Sequence, residues 1–227
     1  MKNETKTALL VIDMLPAFLD PESAFYTQGA EKTVEPCKAA MEAARQKGIP
    51  VIFIHRRYRA NGSDVEITRY AKWKEHGRPM NDDDYKESKG ILPKALCPQW
   101  GDYLIIKPRW SAFFHTELDL LLRRLGVETV VLIGTTTPNC IRATAYDANS
   151  LDYNVIVLED ATSAQTEEIQ RVNLQDMERM GAIIMNFQTF QNYNHSTVTH
   201  LLKQIQKEVE ECEIPPEKLS HFFISQP

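Results

Sequence analysis

Cysteine is scarce in this chain. Four occur in 227 residues, at positions 37, 97, 140 and 212, and no two form a C-x-x-C pair. That spacing argues against a disulfide framework or a cysteine zinc site, and it suits a reduced, cytoplasmic setting. No apolar run approaches the roughly 20 residues needed to span a bilayer, so no membrane partner is expected. Positive charge is not in excess either: 26 Lys and Arg stand against 31 Asp and Glu, a net charge of -5. A nucleic-acid surface would normally show a basic surplus, and none is expected. Residues Met1 to Lys6 run directly into an apolar segment, with no signal-peptide pattern. Of the six histidines, His55 follows an apolar run and His115 precedes a helix. His76, His195, His200 and His221 fall in loops, a helix or the tail. None is placed to form an obvious Cys-His pair.

What is present is an alternation of short apolar runs with longer amphipathic ones. The short runs are residues 8–12, 51–54, 103–106, 129–133, 155–158 and 182–185. They are continuously apolar, the mark of parallel strands covered on both faces. The amphipathic segments span about 31–47, 116–125, 138–150, 166–180 and 198–209. Gly48, Gly126 and Gly181 mark three of their ends, and Thr116 and Thr166 are candidate caps. The pattern predicts a three-layer α/β sandwich around a doubly wound, mainly parallel, six-stranded sheet in a single domain over 1–227. In such sheets ligands bind beyond the carboxyl ends of the strands.

Two segments break the rhythm. Residues 56–102 carry no clean strand and include Asn61-Gly62-Ser63-Asp64, Tyr70, Trp73 and an acidic run from Asp82 to Asp84. A connection that long is usually functional or disordered, and it reads as a lid or substrate-shaping insert; a solvated loop with a short helix is the plainer alternative. The tail, about 210–227, holds Phe222, Phe223 and Ile224, which would pack on the body or on a neighbouring subunit.

Three strand ends carry chemistry. Gly134-Thr135-Thr136-Thr137-Pro138-Asn139-Cys140 follows the fourth apolar run and leads into a helix. A thiol in the first turn of a helix meets unpaired N–H groups and the positive end of the dipole, which favour its thiolate. The same donors suit an oxyanion. Asp13 ends the first run and reads as a general base, or as a cap or salt-bridge partner. Lys107 ends the third run and would lower the pKa of a nearby thiol; an ordinary loop lysine is the alternative. Cys37, Cys97 and Cys212 read as small buried hydrophobes or bystanders. Arg56, Arg57, Arg59 and Arg109 either face a pocket and attract a carboxylate, or are solvated or paired with the Asp82–Asp84 run.

Three motifs in order resemble the isochorismatase-like cysteine hydrolases. They are Leu9-Leu10-Val11-Ile12-Asp13-Met14 with Phe18; Lys107-Pro108-Arg109-Trp110-Ser111-Ala112-Phe113; and Gly134 to Cys140, continuing to Ala145-Tyr146-Asp147-Ala148. The resemblance implies a catalytic triad of Asp13, Lys107 and Cys140, and a cis peptide at Thr135–Thr136. It also implies an oxyanion hole from the N–H groups of Thr136 and Cys140, and a pocket lined by Phe18, Trp110 and Thr136. It implies hydrolysis of a small carboxamide, ureido or carbamoyl compound through a thioester, with release of ammonia, and a homo-oligomer, dimer or tetramer. Two departures matter. Leu15-Pro16-Ala17 replaces the polar stretch usual after the first Asp. The region His55-Arg56-Arg57-Tyr58 lacks the Asp-x-His pattern with which nicotinamidases of the family hold a metal; no metal or cofactor is expected, and nicotinamide is disfavoured. Isochorismatase proper cleaves a vinyl ether without a cysteine nucleophile, so Cys140 points to amide chemistry. The competing readings are a nicotinamidase, a flavin- or nucleotide-binding module, and a non-catalytic scaffold. The single glycine before Cys140 counts against a phosphate-binding loop.

Overall fold

The computed structural model describes residues 6–83, 93–193 and 195–211, with the backbone alone for 196–201. Six strands, β1 (Thr7–Ile12), β2 (Val51–Arg56), β3 (Tyr103–Lys107), β4 (Thr129–Thr135), β5 (Asn154–Ser163) and β6 (Ile183–Met185), form one sheet in the order β3-β2-β1-β4-β5-β6. Every neighbouring pair is parallel. The chain winds outward from β1 to β3, then returns to β4 and winds the other way. The reversal falls between β1 and β4, and the carboxyl ends of those two strands flank the natural ligand crevice of such a sheet.

The strands are apolar throughout because each face has its own cover. Along β1, Ala8, Leu10 and Ile12 join one core cluster and Leu9 and Val11 the other. The first cluster takes Leu118 and Leu122 from α4 (Leu118–Arg124), and Ala145 and Ala148 from α5 (Arg142–Ser150). It also takes Leu174 and Met177 from α6 (Glu167–Arg179). The second takes Cys37, Ala40, Met41 and Ala44 from α2 (Val34–Gln46) and Phe190 from α7 (Phe187–Gln191). Cys37 is thus a packing residue, with burial holding its thiol firmly protonated. Thr166 caps α6 by accepting from the Ile169 N–H at 3.2 Å, and the Leu118 N–H donates to Thr116 at 3.3 Å just ahead of α4.

Three local differences from the sequence pattern have physical causes. The strand expected at 155–158 extends to Ser163 because a register shift opposite β4 lets Thr162 and Ser163 pair with Gly134 and Thr135. The helix expected from Pro138 begins instead with a wider π-type turn, Thr137–Ile141, before α5. The 56–102 segment, with α1 (Pro16–Leu19) at its side, has a small core of its own. Tyr58, Val65, Trp73 and Met80 pack with Ala17 and Phe18, and the indole N–H of Trp73 donates to the Pro79 carbonyl at 2.9 Å. Within it α3 covers Tyr70–Glu75. Asp84 and Tyr85 of the insert lie outside the described residues.

The chain divides into two compact units, Met1–Tyr193 and Asn194–Pro227. Of the second, the described part is chiefly α8 (Ser196–Glu210), on which Leu202, Ile205 and Val209 are exposed. The apolar tail residues Phe222, Phe223 and Ile224, and Cys212, lie outside the described residues.

Candidate active site

Asp13 leaves β1 in the left-handed region, at φ 50°, a conformation Asp tolerates better than most side chains. Its N–H donates to the Ile54 carbonyl at 2.8 Å. One carboxylate oxygen accepts the Arg56 N–H from the end of β2 at 2.7 Å. The other lies 2.7 Å from Lys107 Nζ. Both side chains are fully buried, so each ion is tolerable only because the other is present. The same ammonium reaches the Arg109 carbonyl at 2.9 Å and Cys140 Sγ at 3.3 Å. Three strand ends thus converge on one point, with Lys107 between the carboxylate and the sulfur.

The β4 end is shaped by one glycine. Gly134 has φ 116°, and a Cβ built on it would stand 2.0 Å from the Ile12 carbonyl oxygen. Only glycine allows β4 to approach β1 this closely beside Asp13. The peptide bond that follows, Thr135–Thr136, is cis. The Thr135 hydroxyl donates to the Asp13 carbonyl at 2.7 Å, and the Thr137 hydroxyl donates to the Ser163 carbonyl at 3.1 Å. The Thr136 carbonyl accepts the N–H groups of Asn139 and Ile141. The turn bearing Cys140 is therefore tied to β1 and β5 at once.

Cys140 is 4% exposed. Burial pushes its thiol up to about 11, opposed by the Lys107 and Arg56 charges and reinforced by the Asp13 charge. This corrects the expectation of a resting thiolate. The lysine is close enough to help, but desolvation and the neighbouring carboxylate outweigh it. The sulfur faces a cavity of about 110 Å³. Phe18, Trp110, Thr136 and Cys140, all expected there, are on its wall.

The chain matches the isochorismatase domain family over residues 7–189. It belongs to that family. A probable inactive nicotinamidase from Arabidopsis thaliana is 40% identical over 179 residues, 77% of this chain and 89% of the relative. Maleamate amidohydrolase from Pseudomonas putida is 30% identical over 191 residues, 84% of this chain and 88% of the relative. The crystal structure of N-carbamoylsarcosine amidase from Thermoplasma acidophilum is 31% identical, with a TM-score of 0.65 over 79% of this chain and 95% of that one.

Within this family member the four arginines separate. Arg56 is on the cavity wall, buried, and paired with Glu66. Arg57 pairs with Asp82 at 2.9 Å. The Arg109 guanidinium donates to the Asp64 carbonyl at 2.6 Å, and Arg59 is exposed, its N–H donating to Asp64. The wall residues that sequence reasoning missed include Phe25, Arg69, Met80, Asn139 and Gln165. Arg69 and Met80 come from the insert, which has no periodicity to flag them. A larger open groove, about 1000 Å³, runs along the end of β5 and the start of α6 and meets the cavity at Gln165. It contains none of Asp13, Lys107 or Cys140. His55, buried beside these charges, is pushed down to about 4 by burial, which the Asp13 charge only partly offsets. It is neutral at physiological pH.

Proposed function

We propose that this protein is a cysteine amidohydrolase that cleaves the C–N bond of a small carboxamide, ureido or carbamoyl compound. The observation that carries the reading is the buried cluster in which one ammonium stands 2.7 Å from Asp13 and 3.3 Å from Cys140 Sγ, beside a small cavity. The maleamate amidohydrolase and N-carbamoylsarcosine amidase among its relatives support it. The cavity is well below the ~300–1,000 Å³ of sites for drug-sized ligands, which suits a substrate of few heavy atoms.

Asp13 takes the thiol proton as Sγ attacks the carbonyl carbon, so thiolate character develops only when the substrate is in place. The carbonyl oxygen becomes an oxyanion held by the N–H groups of Thr136 and Cys140. When the tetrahedral adduct collapses, the C–N bond breaks and Asp13 returns its proton to the nitrogen, which leaves as ammonia. Water then attacks the thioester, Asp13 acting as base again, and Cys140 leaves as the thiol. Lys107 pairs with the Asp13 carboxylate at the start and balances charge while the proton is on the carboxyl. Among the described residues no three His, Cys, Asp or Glu side chains converge to hold a metal, and each step is carried by the chain's own groups.

A catalytically silent protein is the second reading, favoured by the name of the Arabidopsis relative and by the protonated resting thiol. Ammonia release across a panel of short amides separates the two. The amidase reading expects turnover that Cys140→Ala abolishes; a Cys140→Ala protein with full turnover would overturn it.

A further inference from the structure

The cavity wall carries two charged side chains among the described residues, Arg56 and Arg69, and no carboxylate. The two arginines are not equivalent. Arg56 forms a buried ion pair with Glu66, whose other oxygen accepts the Tyr58 hydroxyl at 2.8 Å. Its guanidinium also lies over the rings of Tyr58 and Trp110, at 5.2 and 4.9 Å from their centroids. Its charge is cancelled and its orientation is held on three sides. Burial favours the neutral acid at Glu66, but the Arg56 charge, hydrogen bonds from the backbone and Tyr58, and the Arg69 charge together keep the carboxyl below its usual range.

Arg69, three residues after Glu66, has no such partner. Its guanidinium lies against the faces of Phe25 and Trp110, 5.5 and 5.8 Å from their centroids. Among the described residues no carboxylate or carbonyl accepts from it. Aromatic faces attract a cation but leave its N–H donors unused. Two positive charges on the wall and one negative charge behind Arg56 leave a single uncompensated positive charge in a space too small for a large ligand. A planar guanidinium with free donors suits the bidentate geometry of a carboxylate.

We propose that Arg69 is the specificity-determining residue of this site and binds the carboxylate of a short, mono-anionic amide or ureido acid. The proposal rests on Cys140 being the group to which that substrate is delivered. It places the recognition element on the 56–102 insert, while the groups proposed for the chemistry come from the sheet. Neutral amides of the same size lack a partner for Arg69, and a second carboxylate would find Arg56 already occupied by Glu66.

Two alkylating reagents of equal reach test this without a known substrate. Iodoacetate and iodoacetamide both form an S–C bond at a cysteine as the C–I bond breaks. Iodide leaves and the thiol proton passes to solvent; only the first reagent carries a carboxylate. Their relative rates at Cys140, read by peptide mass spectrometry, are divided by the same ratio at the exposed Cys97 of the same sample. The expected normalised preference for iodoacetate is roughly ten- to hundred-fold, the range of one charge-assisted hydrogen bond. Arg69→Met reduces it to near unity, and Arg69→Lys retains part of it. A preference near unity in the unaltered protein, or one unchanged by Arg69→Met in a protein that still melts cooperatively, overturns the proposal. In parallel, kcat/KM is compared for maleamate and its neutral diamide. Turnover of both with equal losses in Arg69→Met sinks the anchor and leaves the amidase reading standing. An Arg69-dependent alkylation preference with no amide hydrolysed supports the anchor and sinks the amidase reading.

Discussion

Replacing Asp13 by Asn separates two consequences that a simple loss of function would merge. With its thiol pushed up to about 11, roughly one Cys140 in a thousand is a thiolate at pH 8. Asp13 contributes to that suppression through its charge. The Asp13→Asn carboxamide would lack the charge yet still accept the Arg56 N–H with its side-chain oxygen. A like charge at contact range is worth about one unit or more, so alkylation of Cys140 by iodoacetamide at pH 8 should rise about tenfold. Amide hydrolysis should fall by about 10²–10⁴-fold, the usual contribution of a general base. A more reactive sulfur would thus accompany a slower enzyme. Lys107 loses its buried counter-ion, which costs about 3–5 kcal/mol. The assay therefore runs at low temperature, after a thermal melt has shown a folded variant. Lys107 keeps the Arg109 carbonyl at 2.9 Å, which holds its ammonium near the sulfur. Slower or unchanged alkylation in the folded variant would show that Asp13 promotes the resting thiolate, and the suppressing role assigned to it would be wrong. Full hydrolysis would remove Asp13 from the mechanism.

Two further expectations concern stability. His55 is held neutral in the fold, pushed down to about 4 from an ordinary 6.5. The unfolded chain therefore binds an extra proton between those values, and stability falls as pH drops from 6.5 towards 4, by about 1.4 kcal/mol per unit where the difference is full. Urea titrations at pH 7.5 and 4.5 should show a smaller acid loss in His55→Gln than in the unaltered protein; parallel losses would refute the assignment. Gly134→Ala would put a Cβ 2.0 Å from the Ile12 carbonyl oxygen at φ 116°. The two central strands would have to part, at a cost of about 4 kcal/mol or more. A denaturation midpoint equal to that of the unaltered protein would show that β1 and β4 do not pack as described.

Much of the site is legible in the sequence because a polar residue ending a continuous apolar run must lie at a strand end. Asp13, Lys107 and the turn before Cys140 all declare themselves in that way, and a parallel sheet brings such ends to one edge. Arg69 and Glu66 give no such signal. They lie in an aperiodic insert, and nothing local says that one arginine of a cluster is neutralised by a buried Glu while another is left over. The extension of β5 is equally hidden, since it depends on a register shift against β4 rather than on apolar content.

The sequence alone determined the layered fold and which polar residues end its strands, because burial on both faces demands apolar runs and parallel crossovers demand helices between them. Only the tertiary structure decided the state of Cys140. A helix start and a nearby lysine both favour its thiolate, whereas the fold buries the sulfur beside Asp13 and holds the proton on it. Acidity is a balance of desolvation against neighbouring charge; the first comes from burial in the folded core, and the second from Asp13 and Lys107, which are remote from Cys140 along the chain and approach it only in the fold.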